Sequence, residues 1–585
     1  QTLIDKLAEQ GLDPNLSRVQ AWAFLAQSLL GFPRHLSQHP GGFVIANQTL
    51  TRLVPVENAA MPNRRIVQWD KDDLDAMGLL KIDVLALGML SALQQALQLL
   101  SQKYQHPFPL HRIPQEDKAT YDMISQADTI GVFQIESRAQ MSILPRLQPR
   151  TFYDLVIQIA IVRPGPIQGD MVHPYLRRRQ KREPVRYPNP KVEHILSRTL
   201  GIPIFQEQAM QLAMTAAGFS ADEADQLRRA MAAWKRKGGI NHFRPRLISG
   251  MLSRGYDSHF IELILRQLEG FGEYGFPESH SASFANLAYA SAWIKCHEPA
   301  IFLVALLNAQ PMGFYAPSQL VQDAQRHQVT VLPIDIQHSQ WESTLETHAS
   351  SQAVRLGLHL IKGLSRDAGR RIETARDTPF SSIHDLVTRA QLTRHDTEAL
   401  AQADALNSLA GHRYQARWAG ALLPAHDLLQ HAPVLDDNTP VFTPPNEGED
   451  VLSDYTATGL TLRRHPVALL RTHPELARFT PAKSLFQHYP NKRLARACGL
   501  ITIRQRPQTA NGIIFVSIED ETGIVNVVVR PALARKQRSE LLDSQLLGIY
   551  GVWQRQETVC HLIAHRLVNL SHLIQGLTVK SRDFH

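Results

Sequence analysis

The alternation of apolar and polar positions divides the chain into stretches of different character. Residues 1 to about 36 read as mainly helix, with Leu3, Leu7, Leu12, Leu16, Trp22, Phe24 and Leu25 as apolar positions and Pro14 dividing two helices. The Pro40-Gly41-Gly42 turn leads into a strand, Phe43-Val44-Ile45-Ala46. A Pro-rich loop and an acidic helix from Lys71 to Met77 follow. They lead into Leu79-Leu80-Lys81-Ile82-Asp83-Val84-Leu85-Ala86-Leu87, read as a buried strand carrying two charges. Helix returns from Gly88 to about Lys103, and Gly131 to Arg138 reads as a strand entering a helix. The helix from Ala221 has a well-defined start, because Ser220 and Glu223 make a capping box, and Leu227 and Met231 face the core. A Gly- and aromatic-rich loop, Phe271 to Phe284, opens a helix through Tyr289 and Trp293.

Beyond residue 330 the pattern changes. Leu356 to Ser365 runs into a helix containing Ala368, Ile372 and Ala375, the plan of a short helix, a Gly turn and a second helix. A degenerate second copy spans about Phe380 to Leu409. Residues 431 to 450, Pro-rich and then acidic at Glu447-Gly448-Glu449-Asp450, read as a linker. Five alternating strands follow: Ala497 to Ile503, Ile513 to Glu519, Ile524 to Val529, Leu547 to Trp553 and His561 to Leu567. They predict an OB-type barrel, with His561 and His565 on its surface.

Length and composition narrow the class. At 585 residues, 44% hydrophobic and 20% charged, the chain is expected to hold three to five globular domains. No apolar run reaches membrane-spanning length, and no signal segment opens the chain. It begins inside an amphipathic helix, so a fragment or processed product is expected. Cys296, Cys498 and Cys560 give neither a disulfide framework nor zinc spacing, which fits a reducing cytoplasm. A net charge of +8 points to a polyanionic partner.

Candidate chemistry centres on Lys81 and Asp83, which strand spacing puts on one face. They read either as an ion pair at a strand end or as a metal-binding carboxylate beside a phosphate-binding lysine. His35 and His39 have helical metal-ligand spacing but no third ligand nearby, and turn-stabilising hydrogen bonds are favoured. Arg163 is fixed in the rigid turn Arg163-Pro164-Gly165-Pro166. The basic run Arg177, Arg178, Arg179, Gln180, Lys181, Arg182, near Met171, Tyr175 and Tyr187, reads either as a solvated face or as a groove tracking a nucleic-acid backbone. Arg228 and Lys235 share one helix face and Arg229 and Arg236 the next, with Asp222 and Asp225 in reach of Arg229. Ser279, His280 and Ser281 at a helix start suit phosphate, and Tyr274 or Phe276 could stack on a base. Lys362 and Gly363 lie in the turn that would grip a DNA phosphate.

Taken in order, these motifs resemble the C-family of bacterial replicative DNA polymerases, the alpha subunit of DNA polymerase III, and most closely its error-prone, mutasome-type branch. The carrying stretches are Arg34 to Gly42, Leu80-Lys81-Ile82-Asp83, Gly131 to Arg138, Arg163 to Pro166, Gln206-Glu207-Gln208, Leu227 to Met231, Tyr274 to Phe276 with Ser279-His280-Ser281, and Ser581 to His585. The resemblance implies a multidomain α+β chain: a thumb remnant at 1–38, the C-terminal part of a palm at 39–92, mainly helical fingers at 93–330, a helix-hairpin-helix region at 331–425, a linker and extended region at 426–490, and an OB-fold at 491–575. It further implies nucleotidyl transfer from a dNTP to a primer 3′-hydroxyl in translesion synthesis, with three palm aspartates holding two Mg²⁺ ions. Asp83 matches the third aspartate and Lys81 the lysine on the nucleotide phosphates. Arg228 and Arg229 match the arginines on the triphosphate, with Arg163 and His280 lining the site.

The other two aspartates of that set have no counterpart in this chain, so it is expected to be inactive alone. Asp450 to Leu470 holds no clamp-binding motif of the replicative kind, which fits recruitment by a mutasome accessory protein and only indirect contact with the sliding clamp. Primer-template DNA is the expected partner and the cytoplasm the expected location. The alternatives are a non-catalytic DNA-binding protein built from hairpin and OB modules, and a mutasome scaffold.

Overall fold

The computed structural model describes residues 3–9, 11–32, 41–59, 64–69, 71–84, 86–162, 169–232, 242–269, 276–313, 315–349, 351–421, 440–506, 512–556, 559–574 and 582–584. It divides into two compact units, Gln1–Leu87 and Gly88–His585.

In the first unit the helices Leu3–Glu9 and Ser17–Ser28 lie either side of Pro14, as proline geometry requires. Four short strands follow: β1 (Gly42–Ile45), β2 (Val56–Asn58), β3 (Arg65–Val67) and β4 (Leu80–Asp83). The acidic helix is Lys71–Ala76. β1 and β4 pair antiparallel, with Val44 opposite Lys81 and Gly42 opposite Asp83, and β2 pairs antiparallel with β3. One expectation is corrected here. β4 is not a buried strand: Leu80 is 58% and Ile82 43% exposed, and their cross-strand partners Ile45 and Phe43 are exposed beside them. The face shared by Val44 and Lys81 is the more enclosed one.

The second unit is built on two packed helices, Phe152–Ile161 and Glu278–His297. The first starts at a Thr151–Asp154 capping box, and every residue from Asp154 to Ile161 is buried. The apolar helix Pro299–Asn308 follows, buried from Ala300 to Leu307. A lysine lies inside this body. Lys295 Nζ is 2.9 Å from Asp128 Oδ1, 2.8 Å from Asp323 Oδ2 and 3.1 Å from the Ile130 carbonyl. His327 Nε2 lies 2.6 Å from the other oxygen of Asp128.

Gly131 to Arg138 is not a strand but a series of turns. Gly131 has φ +75°, and a Cβ there would come 2.7 Å from Leu306 Cδ1, so close packing rather than sheet pairing sets its conformation. Helix begins at Arg138, with Ser137 as its cap.

Strands β5 (Thr330–Leu332), β6 (Thr344–His348) and β7 (Ser351–Arg355) form a small sheet in the order β5-β7-β6. Next comes the expected hairpin, with one change: its first element is a single 3₁₀ turn, Leu358–Leu360. Gly363 makes the turn at φ +88°, and Ser365 caps the helix Arg366–Ala375. The second copy is the helices Ile383–Ala390 and Arg394–Gln402, with Gln391 left-handed between them at φ +49°. The acidic residues expected in a linker instead form the first turn of the helix Glu447–Ala457, capped by Asn446, where carboxylates favour the positive end of the helix dipole. Arg413, almost wholly buried, ties this helix to the hairpins. Its guanidinium lies 2.8 Å from both Asp450 and Asp454, and Arg463 reaches Asp404, Asp450 and Asp454 at 2.9–3.1 Å.

The C-terminal strands close a barrel: β8 (Leu494–Gln505), β9 (Ile514–Asp520), β10 (Gly523–Val529), β11 (Leu546–Gln556) and β12 (Val559–Asn569). The order is β11-β12-β10-β9-β8 with β8 returning to β11, and β13 (Arg582–Phe584) adds parallel to β8. Trp553, Ile518, Val527 and Leu562 fill the interior. Among the described residues no helix is long and apolar enough to cross a membrane.

The buried lysine generates two predictions. Lys295→Met strands Asp128 and Asp323 without their cation and should destabilise the second unit by about 3–5 kcal/mol, read from denaturant unfolding. His327 is held above its ordinary 6.5, first by the Asp128 hydrogen bond. Its stabilising charge is therefore complete below pH 6.5 and lost as pH rises through the elevated value. Asp128, despite burial, is drawn down to about 2 by His327 and Lys295, so its contribution is lost only as pH falls below about 3.8 towards 2. The difference in melting temperature between the parent chain and His327→Gln should peak between about pH 4 and 6.5 and shrink above neutrality.

Candidate nucleotide and nucleic-acid interface

Lys81 and Asp83 lie on β4 in the first unit, while Arg228, Arg229 and His280 lie in the second. Arg163, Lys235, Arg236, Tyr274, His35 and His39 fall outside the described residues.

The helix Ala221–Ala232 starts at the expected capping box: the Ser220 amide donates to Glu223 at 2.8 Å and the Glu223 amide to Ser220 Oγ at 3.2 Å. Leu227 is buried, which turns Arg228 and Arg229 away from the core. Both are paired to one acid. Arg228 Nε reaches Asp225 Oδ1 at 2.9 Å, and Arg229 Nε reaches Oδ2 at 2.8 Å. The Arg228 hydrogen bond leads in holding the Asp225 carboxyl below its usual range. Asp225 is thus shared by the two arginines, where the sequence suggested a partner for Arg229 alone. Arg229 remains 74% exposed at its side chain, and exposed pairs of this kind are weak and easily exchanged.

At the start of the Glu278–His297 helix, His280 lies between Phe276 and Phe284, with ring centroids 5.2 and 4.2 Å away. Burial lowers its pKa, so it stands at neutral pH as an uncharged hydrogen-bonding ring. Two neighbours are corrected. Phe276 is buried and offers no face to a base, and Ser281 is buried with its hydroxyl donating to the Val156 carbonyl at 2.5 Å. Ser279 is exposed.

The basic run is engaged within the protein. Arg177 and Arg178 share Glu183 at 2.8 and 3.0 Å, and Arg178 also donates to the Leu200 carbonyl at 2.7 Å. Arg179 reaches Asp154 at 2.8 Å, and Tyr175 is buried. Arg178 and Arg179 therefore brace the fold rather than line an open groove, because local acids and carbonyls already meet their donors. Lys362, though exposed, also has partners within the fold. Its ammonium donates to the Tyr455 and Thr456 carbonyls at 2.9 and 2.8 Å, at the C-terminal end of the Glu447–Ala457 helix. Gly363 turns the chain at φ +88°, beside the Lys362 amide that donates to the Ala457 carbonyl at 2.9 Å. His565 is exposed, but His561 is half-buried, with Nδ1 lacking a partner and burial lowering its pKa.

Asp128, Asp323 and His327 have metal-ligand spacing, the one such group among the described residues. The Lys295 ammonium bridges its two carboxylates and so stands where a cation would. Asp323 and His327 stand four positions apart, but Asp128 lies 199 positions from His327 and Lys295 28 from Asp323, so no single local pattern marks the set.

Family models match four successive stretches of the chain. Residues 2–86 match the bacterial DNA polymerase III alpha NTPase domain, and residues 89–255 the finger domain of the same subunit. Residues 328–416 match a helix-hairpin-helix motif, and residues 496–570 an OB-fold nucleic acid binding domain. Relatives named error-prone DNA polymerase align along the entire chain. The one from Bordetella bronchiseptica is 61% identical over 593 residues, that from Burkholderia pseudomallei 57% over 602, and that from Methylococcus capsulatus 56% over 604. In each case the alignment takes in 100% of this chain but only 56–58% of the relative, so the chain spans just over half the length of the proteins it matches. With polymerase III modules in order and this identity from end to end, the chain belongs to the bacterial DNA polymerase III alpha family, in the branch whose relatives are named error-prone DNA polymerase.

Proposed function

We propose that this chain is the nucleotide-handling and DNA-holding portion of an error-prone DNA polymerase acting in translesion synthesis, on primer-template DNA and dNTPs. The end-to-end identity to polymerases of that name carries the reading. In it the domains run as thumb remnant, palm portion, fingers, helix-hairpin-helix, extended region and OB-fold, at the boundaries given above. Lys81 takes a nucleotide phosphate, and Arg228 and Arg229 take the triphosphate by exchanging Asp225 for phosphate oxygens. Charge-assisted hydrogen bonds to phosphate are stronger than exposed ion pairs, so the exchange is favourable. His280, uncharged, and Arg163 are assigned to the nucleotide as well, and the turn at Gly363 to the DNA backbone. A mutasome accessory protein recruits the enzyme, with the sliding clamp reached only indirectly, in the cytoplasm.

Mg²⁺ supplies charge neutralisation to this class of reaction, but a two-ion centre needs several carboxylates. Here Asp83 is the single acid on β4, and the one group with metal-ligand spacing among the described residues already holds a lysine. The residues present do not fit a two-ion centre, and the chain alone does not polymerise.

Two outcomes are expected. Purified chain should give no Mg²⁺-dependent primer extension in steady state; clear incorporation lost on Asp83→Ala would overturn the inactivity. Binding of labelled dATP with Mg²⁺ should weaken about tenfold on Arg229→Ala and strengthen on Asp225→Asn, which releases both arginines. No dATP binding by the parent chain, with duplex DNA still bound, would favour a DNA-binding scaffold instead.

A further inference from the structure

The wall of an OB barrel that commonly meets nucleic acid is made by its second and third strands. In this barrel those are β9 and β10, and their outer face is poorly suited to a polyanion. No lysine or arginine occurs from Ile514 to Val529. Ser517 and Glu519 are only 3% exposed, and His465 Nε2 lies 3.9 Å from the Glu519 carboxylate, so a neighbouring segment covers the β9 side of that wall.

The wall of β8, β11 and β12 is different. Tyr550 on β11 pairs across the sheet with Arg496 of β8 and with Arg566 of β12, and all three face outward. The guanidinium carbons of Arg496, Arg566 and Arg478 lie 5.5, 5.8 and 5.9 Å from the Tyr550 ring centroid. These distances are within cation–π range but beyond the roughly 3.5–4 Å of stacking contact, so the cations surround the ring without capping it. The ring is held in place. Phe479 meets it edge-on at 5.5 Å, seated over Gly548, where a Cβ would come 2.7 Å from the Phe479 ring. The β11–β12 register shifts between Tyr550 and Gly551, an irregularity of the kind that re-aims a side chain.

The charges are unbalanced. Arg471, a few residues away in sequence, is matched by Asp520 and Glu521. Among the described residues, none of Arg478, Arg496 and Arg566 has an acidic partner, and all three are exposed. Three like charges around one ring repel one another, and a polyanion relieves that repulsion. An acidic peptide would use the cations alone, whereas a single-stranded nucleic acid uses both the cations and the aromatic face. We propose that this wall, not that of β9 and β10, is the barrel's track for single-stranded DNA, with Tyr550 stacking on a base and Arg478, Arg496 and Arg566 on the flanking phosphates. The proposal rests on the reading of the barrel as a DNA-binding module and specifies its surface.

The test is fluorescence anisotropy of the full chain with labelled (dT)20 across a salt series. Tyr550→Ala should weaken binding roughly 5- to 100-fold, while Tyr550→Phe keeps it. The combined Arg478→Gln, Arg496→Gln and Arg566→Gln variant should flatten the slope of log affinity against log salt by about 2, at about 0.7 per phosphate contact. An abasic 20-mer should be indifferent to Tyr550→Ala. Parent-like affinity and slope in every variant would sink the wall assignment alone, leaving the barrel as a DNA binder elsewhere. Failure of the parent chain to bind (dT)20 would sink the wall and the module reading together. If the triple variant lost binding to poly-glutamate but kept (dT)20, the surface would be one for an acidic protein, which also overturns the proposal.

Discussion

A single buried cation imposes the tightest constraint on the second unit. Lys295 sits near the end of the Glu278–His297 helix, in surroundings too apolar for an unpaired charge, and is held by Asp128 and Asp323. Asp128 follows one helix and Asp323 lies in another, so satisfying the lysine fixes three elements against one another. His327 completes the set through the second oxygen of Asp128. The opposite end of the Glu278–His297 helix carries His280, and its placement follows from the anchored end. Arg413 does comparable work further along, drawing Asp450 and Asp454 of one helix onto the hairpin region.

Burial sorts the cations of this chain into two groups with different physical roles. Arg178, Arg179, Lys295 and Arg413 meet carboxylates at buried or half-buried positions, where a lowered dielectric makes each pairing strict. Among the described residues, Arg228 and Arg229 share the half-exposed Asp225, and Arg478, Arg496 and Arg566 stand around an aromatic ring without an acid. Only the second group can exchange its surroundings for phosphate at small cost. A net charge of +8 cannot make that distinction, and neither can a run of basic letters.

Much of the local architecture was legible from the residues. Alternation located all five barrel strands to within a few residues, Ser220 and Glu223 located a helix start, and Pro14 separated two helices. The misreadings share a cause. Gly131 to Arg138 looked like a strand because its apolar residues are buried, yet they are buried in turns pressed against Leu306 and Phe302. β4 looked like a core strand because it is apolar, yet its apolar face is bare. Apolar character records that a residue seeks cover, not which element supplies it.

By itself the sequence determined what depends on neighbours close in the chain: strand alternation, helix caps, the Gly363 turn, and the order of motifs that marks the family. The tertiary structure alone decided which charges face inward. Lys295 meets Asp128 and Asp323, Arg413 meets Asp450 and Asp454, and Tyr550 meets Arg478 and Arg496, all far off in the chain, and no period or spacing encodes them. Pairing across such distances is set by how helices and strands pack, and packing is a property of the assembled core rather than of any segment.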